Sequence, residues 1–209
     1  MSKFFILDTE TLGLSDSHVV LSLAICCVDL NFAMHSTPNE LYNHVLENSK
    51  FIKFDAIEQK MEYRRLVSDD TLEWWKKIPL DIQKMSLIPS PDDFSSKDGL
   101  TELQNYMDSI PESGKFPIYQ RGYLDGSILL GLSDSVGVKC PLNAFRFRDV
   151  RTFVDVLYGS NDGYADVDNF DKTLVKKHDP IHDIARDCVI MVFGKHIGET
   201  DGQHSKADW

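Results

Sequence analysis

Two carboxylates one residue apart, Asp8 and Glu10, close the apolar run Phe4-Phe5-Ile6-Leu7. Side chains alternate across a strand, so this pair projects from one face and can share a cation. Thr11-Leu12-Gly13-Leu14 then breaks into a loop, which sets the pair at the strand's carboxyl end, where ligands bind in open α/β sheets. An acidic pair alone fits a solvated turn equally well. Asp125, after Arg121-Gly122-Tyr123-Leu124, opens a helical repeat and also suits a first-turn acid at a positive helix end. The segment His178-Asp179-Pro180-Ile181-His182-Asp183-Ile184-Ala185-Arg186-Asp187 is dense in His and Asp. Carboxylates drawn from separate elements suit two divalent cations about 3.5–4 Å apart, which grip a phosphodiester from the side of the attacking water and of the leaving oxygen. Hard oxygen donors favour Mg²⁺ or Mn²⁺ over zinc. A histidine titrating near working pH can take the water's proton.

The spacing His-x4-Asp occurs in two overlapping registers, His178 with Asp183 and His182 with Asp187. Asp179 and Pro180 read as an N-cap and N1 pair, which leaves His178 on the approach to the helix and His182 in its first turns. A base that must move toward water is better placed on the approach, which favours His178 with Asp183. Asp187 lies nearer the apolar stripe's edge than Asp183, so His182 with Asp187 stands as the alternative. Asp134 is the fallback for Asp125. His18, His35, His44, His196 and His204 belong to no such cluster.

The elements that must position these groups follow from periodicity. Val19–Leu30 reads as a second strand ending at Asp29, and Leu41–Leu46 as a weaker third, which predicts an antiparallel opening to the sheet. Asp69 or Asp70 caps a helix carrying Leu72, Trp75 and Lys76. Leu100–Met107 is a helix, Phe116–Tyr119 a short strand, Leu124–Val136 a helix, and Phe145–Val150 the last strand, continued into a helix by Val154, Leu157 and Tyr158. Ile181, Ile184, Ala185, Cys188, Val189 and Val192 make the strongest helical stripe. Trp74 and Trp75 read as core, since base stacking needs an exposed ring.

The 209 residues suit one domain, 1–197, with a helical insertion at about 55–110 and a polar tail at 198–209. Hydrophobic residues at 42% and charged residues at 26% exclude a disordered chain. No apolar stretch is long enough for a membrane span, and Met1-Ser2-Lys3 leaves no room for a signal peptide, so a cytoplasmic setting is expected. Cys26, Cys27, Cys140 and Cys188 form no CxxC pair and read as reduced thiols. The net charge of -11 has the wrong sign for binding nucleic acid by counterion release, so a nucleic-acid partner must be gripped locally. Candidates for that grip are Arg64, Arg65, Lys76, Lys77, Arg121, Arg146, Arg148, Arg151, Lys176 and Lys177, most of which read as solvated charge.

Asp8-Thr9-Glu10, Asp125 and His178-x4-Asp183 resemble, in order, the three motifs of the histidine-bearing DnaQ-like (DEDDh) 3′-5′ exonucleases. Thr71-Leu72-Glu73-Trp74-Trp75 and Arg148-Asp149-Val150-Arg151-Thr152 resemble stretches of phage exonuclease A and its exoribonuclease-like relatives, so the likeness spans most of residues 3–193. It departs at Leu124, where an aromatic residue usually precedes the motif's Asp. The resemblance implies a ribonuclease H-like α/β fold: a mixed five-stranded sheet flanked by helices, with a helical insertion. It implies two Mg²⁺ or Mn²⁺ ions on Asp8, Glu10, Asp125 and Asp183, with Asp8 bridging both and His178 as base. Thr9 and Leu12 would meet the substrate, Leu12 as a wedge beside the terminal base. The implied partner is a nucleic-acid 3′ end, single-stranded DNA ahead of RNA, degraded to 5′-mononucleotides in the cytoplasm, a host's if the gene is a phage's. No membrane is implied, and a homodimer is left open.

Overall fold

The computed structural model describes residues 3–196. Strands β1 (Lys3–Thr11), β2 (Val20–Asp29), β3 (Lys50–Lys53), β4 (Ile118–Gln120) and β5 (Phe147–Asp149) form one mixed sheet in the order β3-β2-β1-β4-β5. β1 pairs antiparallel with β2 and β2 with β3, while β4 and β5 run parallel to β1. The helices are α1 (Leu30–His35), α2 (Pro38–Asn48), α3 (Ala56–Met61), α4 (Asp69–Trp75), α5 (Leu80–Ile82), α6 (Ser96–Asp108), α7 (Leu124–Val136), α8 (Val150–Tyr158) and α9 (Pro180–Phe193). No described helix is long and apolar enough to cross a membrane.

Strand parity divides the core. Phe4 and Ile6 of β1 pack with Ala24, Cys26 and Val28 of β2 against α2, α8 and α9. Phe5 and Leu7 pack with Leu23 and Ile25 against α6 and α7. By the same alternation Asp8 and Glu10 continue the α9 face and Thr9 the α7 face. The four cysteines are free thiols, and Cys26 and Cys27 lie against opposite cores.

Three elements differ from their sequence-based expectation. Leu41–Leu46 is not a strand but the middle of α2, because Thr37 and Glu40 form a complete capping box and Pro38 sits at the helix start. The third strand is β3, which begins two residues after that helix ends. The last strand is shorter than Phe145–Val150: Asp149 accepts from the backbone N–H groups of Arg151 and Thr152, so Val150 already opens α8. The cap of α4 is Ser68, with Asp69 and Asp70 in the first turn. The polar tail expected at 198–209, including His204, lies outside the described residues.

Candidate active site

The carboxyl ends of β1 and β4 meet the N-termini of α7 and α9. Asp125 sits in the first turn of α7 and is reached from β1 by Thr9, whose N–H and hydroxyl both donate to its Oδ1, at 3.0 and 2.7 Å. The neighbouring Gly126 permits that approach. A side chain there would drive into Phe147 and the Gln120 amide, and its own N–H donates to Gln120 Oε1 at 2.5 Å. On the other face, α9 starts as the sequence predicts, with Asp179 capping the N–H groups of Ile181 and His182 behind Pro180. Glu10, His178 and Asp183 each offer one ligand atom, and these atoms lie within 4.8 Å of one another.

The charge in this cleft is poorly compensated. Burial first, then Asp125, Asp183, Glu10 and Asp187, hold the Asp8 carboxyl well above its ordinary range. Glu10 is raised strongly by burial and by Asp183, Asp125 and Asp179. Burial pushes Asp125 up to about 6 against the bonds from Thr9. Asp183 is also raised by burial, although Arg186 Nη1 donates to its Oδ1 at 2.5 Å. Carboxylates crowded until they resist ionising are the arrangement that a divalent cation relieves. The donor set of acidic oxygens, with one imidazole at its edge, fits Mg²⁺ or Mn²⁺.

The second His-x4-Asp register has other partners. Asp187 is buried and held below its ordinary range because Arg121 and Arg186 outweigh its burial. Arg121 reaches both its oxygens at 2.8 Å, and Arg186 its Oδ1 at 2.8 and 2.9 Å. The ring of His182 points into the α2 contact, where its Nδ1 pairs with the Tyr42 hydroxyl at 2.6 Å. The His178 ring instead lies beside Trp74, and its backbone N–H donates to Asp183 Oδ2 at 3.2 Å. The fallback Asp134 is exposed on α7, away from that helix's first turn.

A family model described as the 3′-5′ exoribonuclease Rv2179c-like domain matches residues 3–192. The chain belongs to this family. An exodeoxyribonuclease of Enterobacteria phage T4 is 29% identical to it over 216 residues, covering 90% of this chain and 87% of the relative. The metal-free form of the E. coli ExoI–ssDNA complex matches 92% of the chain with a TM-score of 0.56 at 11% identity, a likeness of fold. The chain spans 39% of the ExoI chain's length. Together these relations make it a DnaQ-like exonuclease of the 3′-5′ class with a ribonuclease H-like exonuclease fold.

Several side chains of this exonuclease-family chain are placed differently from what its motifs led one to expect. Leu12 is buried with Val19, Leu21, Trp75 and Ile82, so it packs inward instead of forming an exposed wedge, and Leu14 is the exposed apolar residue past the carboxylates. Thr9 is buried, and its hydroxyl is committed to Asp125. Arg65 is buried on the carbonyls of Asp16 and His18, and the half-buried Arg146 donates to those of Phe116 and Ser113. By contrast, Arg148 stays exposed, as solvated charge should, and donates to the backbone carbonyls of Phe145 and Phe147, while Asp149 caps α8. Sequence reasoning passed over Arg186, although its i,i+3 spacing from Asp183 is the signal of a helical ion pair. It also passed over Arg121 as the partner of Asp187, a contact between residues 66 apart that no local pattern announces.

Proposed function

We propose that this chain is a two-metal-ion 3′-5′ exonuclease that shortens single-stranded DNA from its 3′ end and releases 5′-mononucleotides. The observation that carries the reading is the convergence of Glu10, His178 and Asp183 beside Asp8, with Asp125 entering from the opposite face. Asp8, Glu10, Asp125 and Asp183 would hold the ions. When bound, Mg²⁺ or Mn²⁺ supplies activation of the attacking water and stabilisation of the charge on the leaving 3′ oxygen.

The protein's own share of the chemistry is positioning and proton transfer. His178 accepts the proton of the attacking water on its imidazole. Burial lowers its pKa, which keeps the ring neutral and able to accept at neutral pH. Thr9 fixes one oxygen of Asp125, and Arg186 fixes one oxygen of Asp183, so neither carboxylate must be ordered when ions arrive. Exposed Lys76 and Lys77 follow Trp74 in the chain, and exposed Lys176 and Lys177 precede His178. Trp74 and His178 touch, so these lysines, of which Lys76 pairs with Glu73, lie within three residues of that contact and would grip backbone phosphates locally, as the acidic whole requires. We read 1–197 as the exonuclease domain, acting in the cytoplasm.

The phage relative is named for DNA and the family model for RNA. An exoribonuclease with the same site is therefore the second reading, and a phosphodiesterase of small nucleotides or a silent binding module ranks below it. Matched DNA and RNA oligomers labelled at the 5′ end, incubated with Mg²⁺, Mn²⁺ or EDTA, test all four. The expected result is a metal-dependent ladder shortening from the 3′ end, faster on DNA. Cleavage that persists in EDTA or survives Asp8→Ala in a clean preparation overturns the two-metal reading.

A further inference from the structure

Helix α4 carries adjacent indoles with different surroundings. Trp75 is fully buried and its Nε1 donates to the Thr11 carbonyl at 3.1 Å, while the Ser68 N–H donates to the Leu12 carbonyl at 2.8 Å. These two bonds pin α4 to the chain just beyond Glu10. Trp75 also supplies the helix's core contact, packing with Leu12, Val19, Leu21 and Ile82. Trp74 has no place in that cluster and remains 37% exposed. Its ring meets the His178 imidazole edge to face, with centroids 4.7 Å apart and planes at 88°.

His178 needs such a support. Its φ is +66°, the left-handed region that a residue with a Cβ adopts only where its surroundings enforce it. One restraint is the bond from its N–H to Asp183 Oδ2, which fixes the backbone. That bond leaves the side-chain torsions free; a ring nitrogen lies within 4.8 Å of Glu10 and Asp183 oxygens, and the aromatic contact on the ring is Trp74. Aromatic pairs prefer this edge-to-face geometry. We propose that Trp74 is a positioning residue that holds the His178 imidazole over the carboxylates, with α4 anchored by Trp75 for that purpose. This rests on His178 being the base, as proposed above.

Steady-state kinetics of the full chain on a 5′-labelled oligomer, in single variants and on a His178→Ala background, test the proposal. Trp74→Ala is expected to lower kcat by about 10²-fold while KM stays within about 2-fold, the scale set by misplacing a reacting group by an ångström. Trp74→Phe, which keeps a ring at that place, should recover most of the loss. On the His178→Ala background, Trp74→Ala should cost nothing more, because residues that act through one group are not additive. A loss confined to KM, or one that persists without His178, overturns the proposal and makes Trp74 a stacking platform for a substrate base. A second readout is independent of turnover. The His178 ring-proton resonances, displaced by the indole ring current, should return toward ordinary positions in Trp74→Ala. Unmoved resonances overturn the proposal even in an inert protein, whereas an inert wild type with displaced resonances overturns only the exonuclease reading.

Discussion

The entry to helix α9 presents the same spacing twice, four residues apart, and the two copies have opposite surroundings. His178 and Asp183 lie with Glu10 at the end of β1. His182 and Asp187, four residues further on, are engaged elsewhere: the imidazole by the Tyr42 hydroxyl, the carboxylate by two arginines. Asp183 and Asp187, one turn apart on α9, differ by only a small angle about its axis, so helix position alone does not separate the two aspartates. Their partners do. Asp187 is held by two arginines with its pKa low, whereas burial, with Asp187 adding to it, raises Asp183 against the pull of Arg186 and His178. A carboxylate whose charge two arginines already offset has less to gain from a cation than one held by a single arginine and still raised by burial.

The largest effects should come from exchanging the two aspartates' fates. Asp183→Asn is expected to cut turnover by at least about 10²-fold, the scale of losing one preorganised charge-stabilising group, while the chain stays folded. Asp187→Asn should show the reverse. It strands Arg121 and leaves Arg186 with Asp183 alone in a buried setting, and removing one partner of such an ion pair costs about 3–5 kcal/mol of stability. Thermal unfolding beside oligonucleotide turnover reads both. If Asp187→Asn abolishes turnover at unchanged melting temperature, the distinction between the registers collapses.

The histidines give the next contrast. His178→Ala should lower kcat by about 10²–10⁴-fold, the usual worth of a general base. His182→Ala should leave turnover near its starting level and reduce stability by about 1 kcal/mol, because it removes one of two bonds of the Tyr42 hydroxyl, which keeps the Leu174 carbonyl. Equal kinetic losses from the two variants would mean that the capping argument chose between them wrongly.

Much of this was legible along the chain because it depends on local chemistry. The parity of β1 put Asp8 and Glu10 on one face, and Asp179-Pro180 announced where α9 begins, hence which histidine precedes it. What local pattern could not show was which groups would be neutralised. The contacts of Arg121 with Asp187 and of Trp74 with His178 join residues far apart in sequence, and they exist only because the sheet brings β4, α4 and α9 to one edge. The misread strand at Leu41–Leu46 has a similar origin. Its apolar residues fit either period, and the deciding capping box lies just outside the run, at Thr37 and Glu40. Leu12 was legible as apolar but not as buried, since the Trp75 that covers it arrives from the helical segment between β3 and β4.

The smallest expected effect sharpens the contrast from its electrostatic side. Asp125 rises from an ordinary 3.8 to about 6, and Asp8, Glu10 and Asp183 also rise. Between the ordinary carboxylate range and these raised values the folded chain therefore holds more protons than the unfolded one, so metal-free stability falls as pH rises through that window. Asp187 has the opposite sign, its contribution being present above the ordinary carboxylate range and lost only as pH falls below it. In EDTA the melting temperature should thus decline by a few degrees, roughly the equivalent of 1 kcal/mol, as pH is raised from 5 to 7.5. Added Mg²⁺ or Mn²⁺ should restore it, more at 7.5 than at 5, because the cation needs the ionised carboxylates that protons otherwise occupy. Asp187→Asn should preserve this metal-dependent rise and Asp183→Asn should reduce it. The opposite assignment would show that the paired carboxylate, not the crowded one, is the cation's ligand.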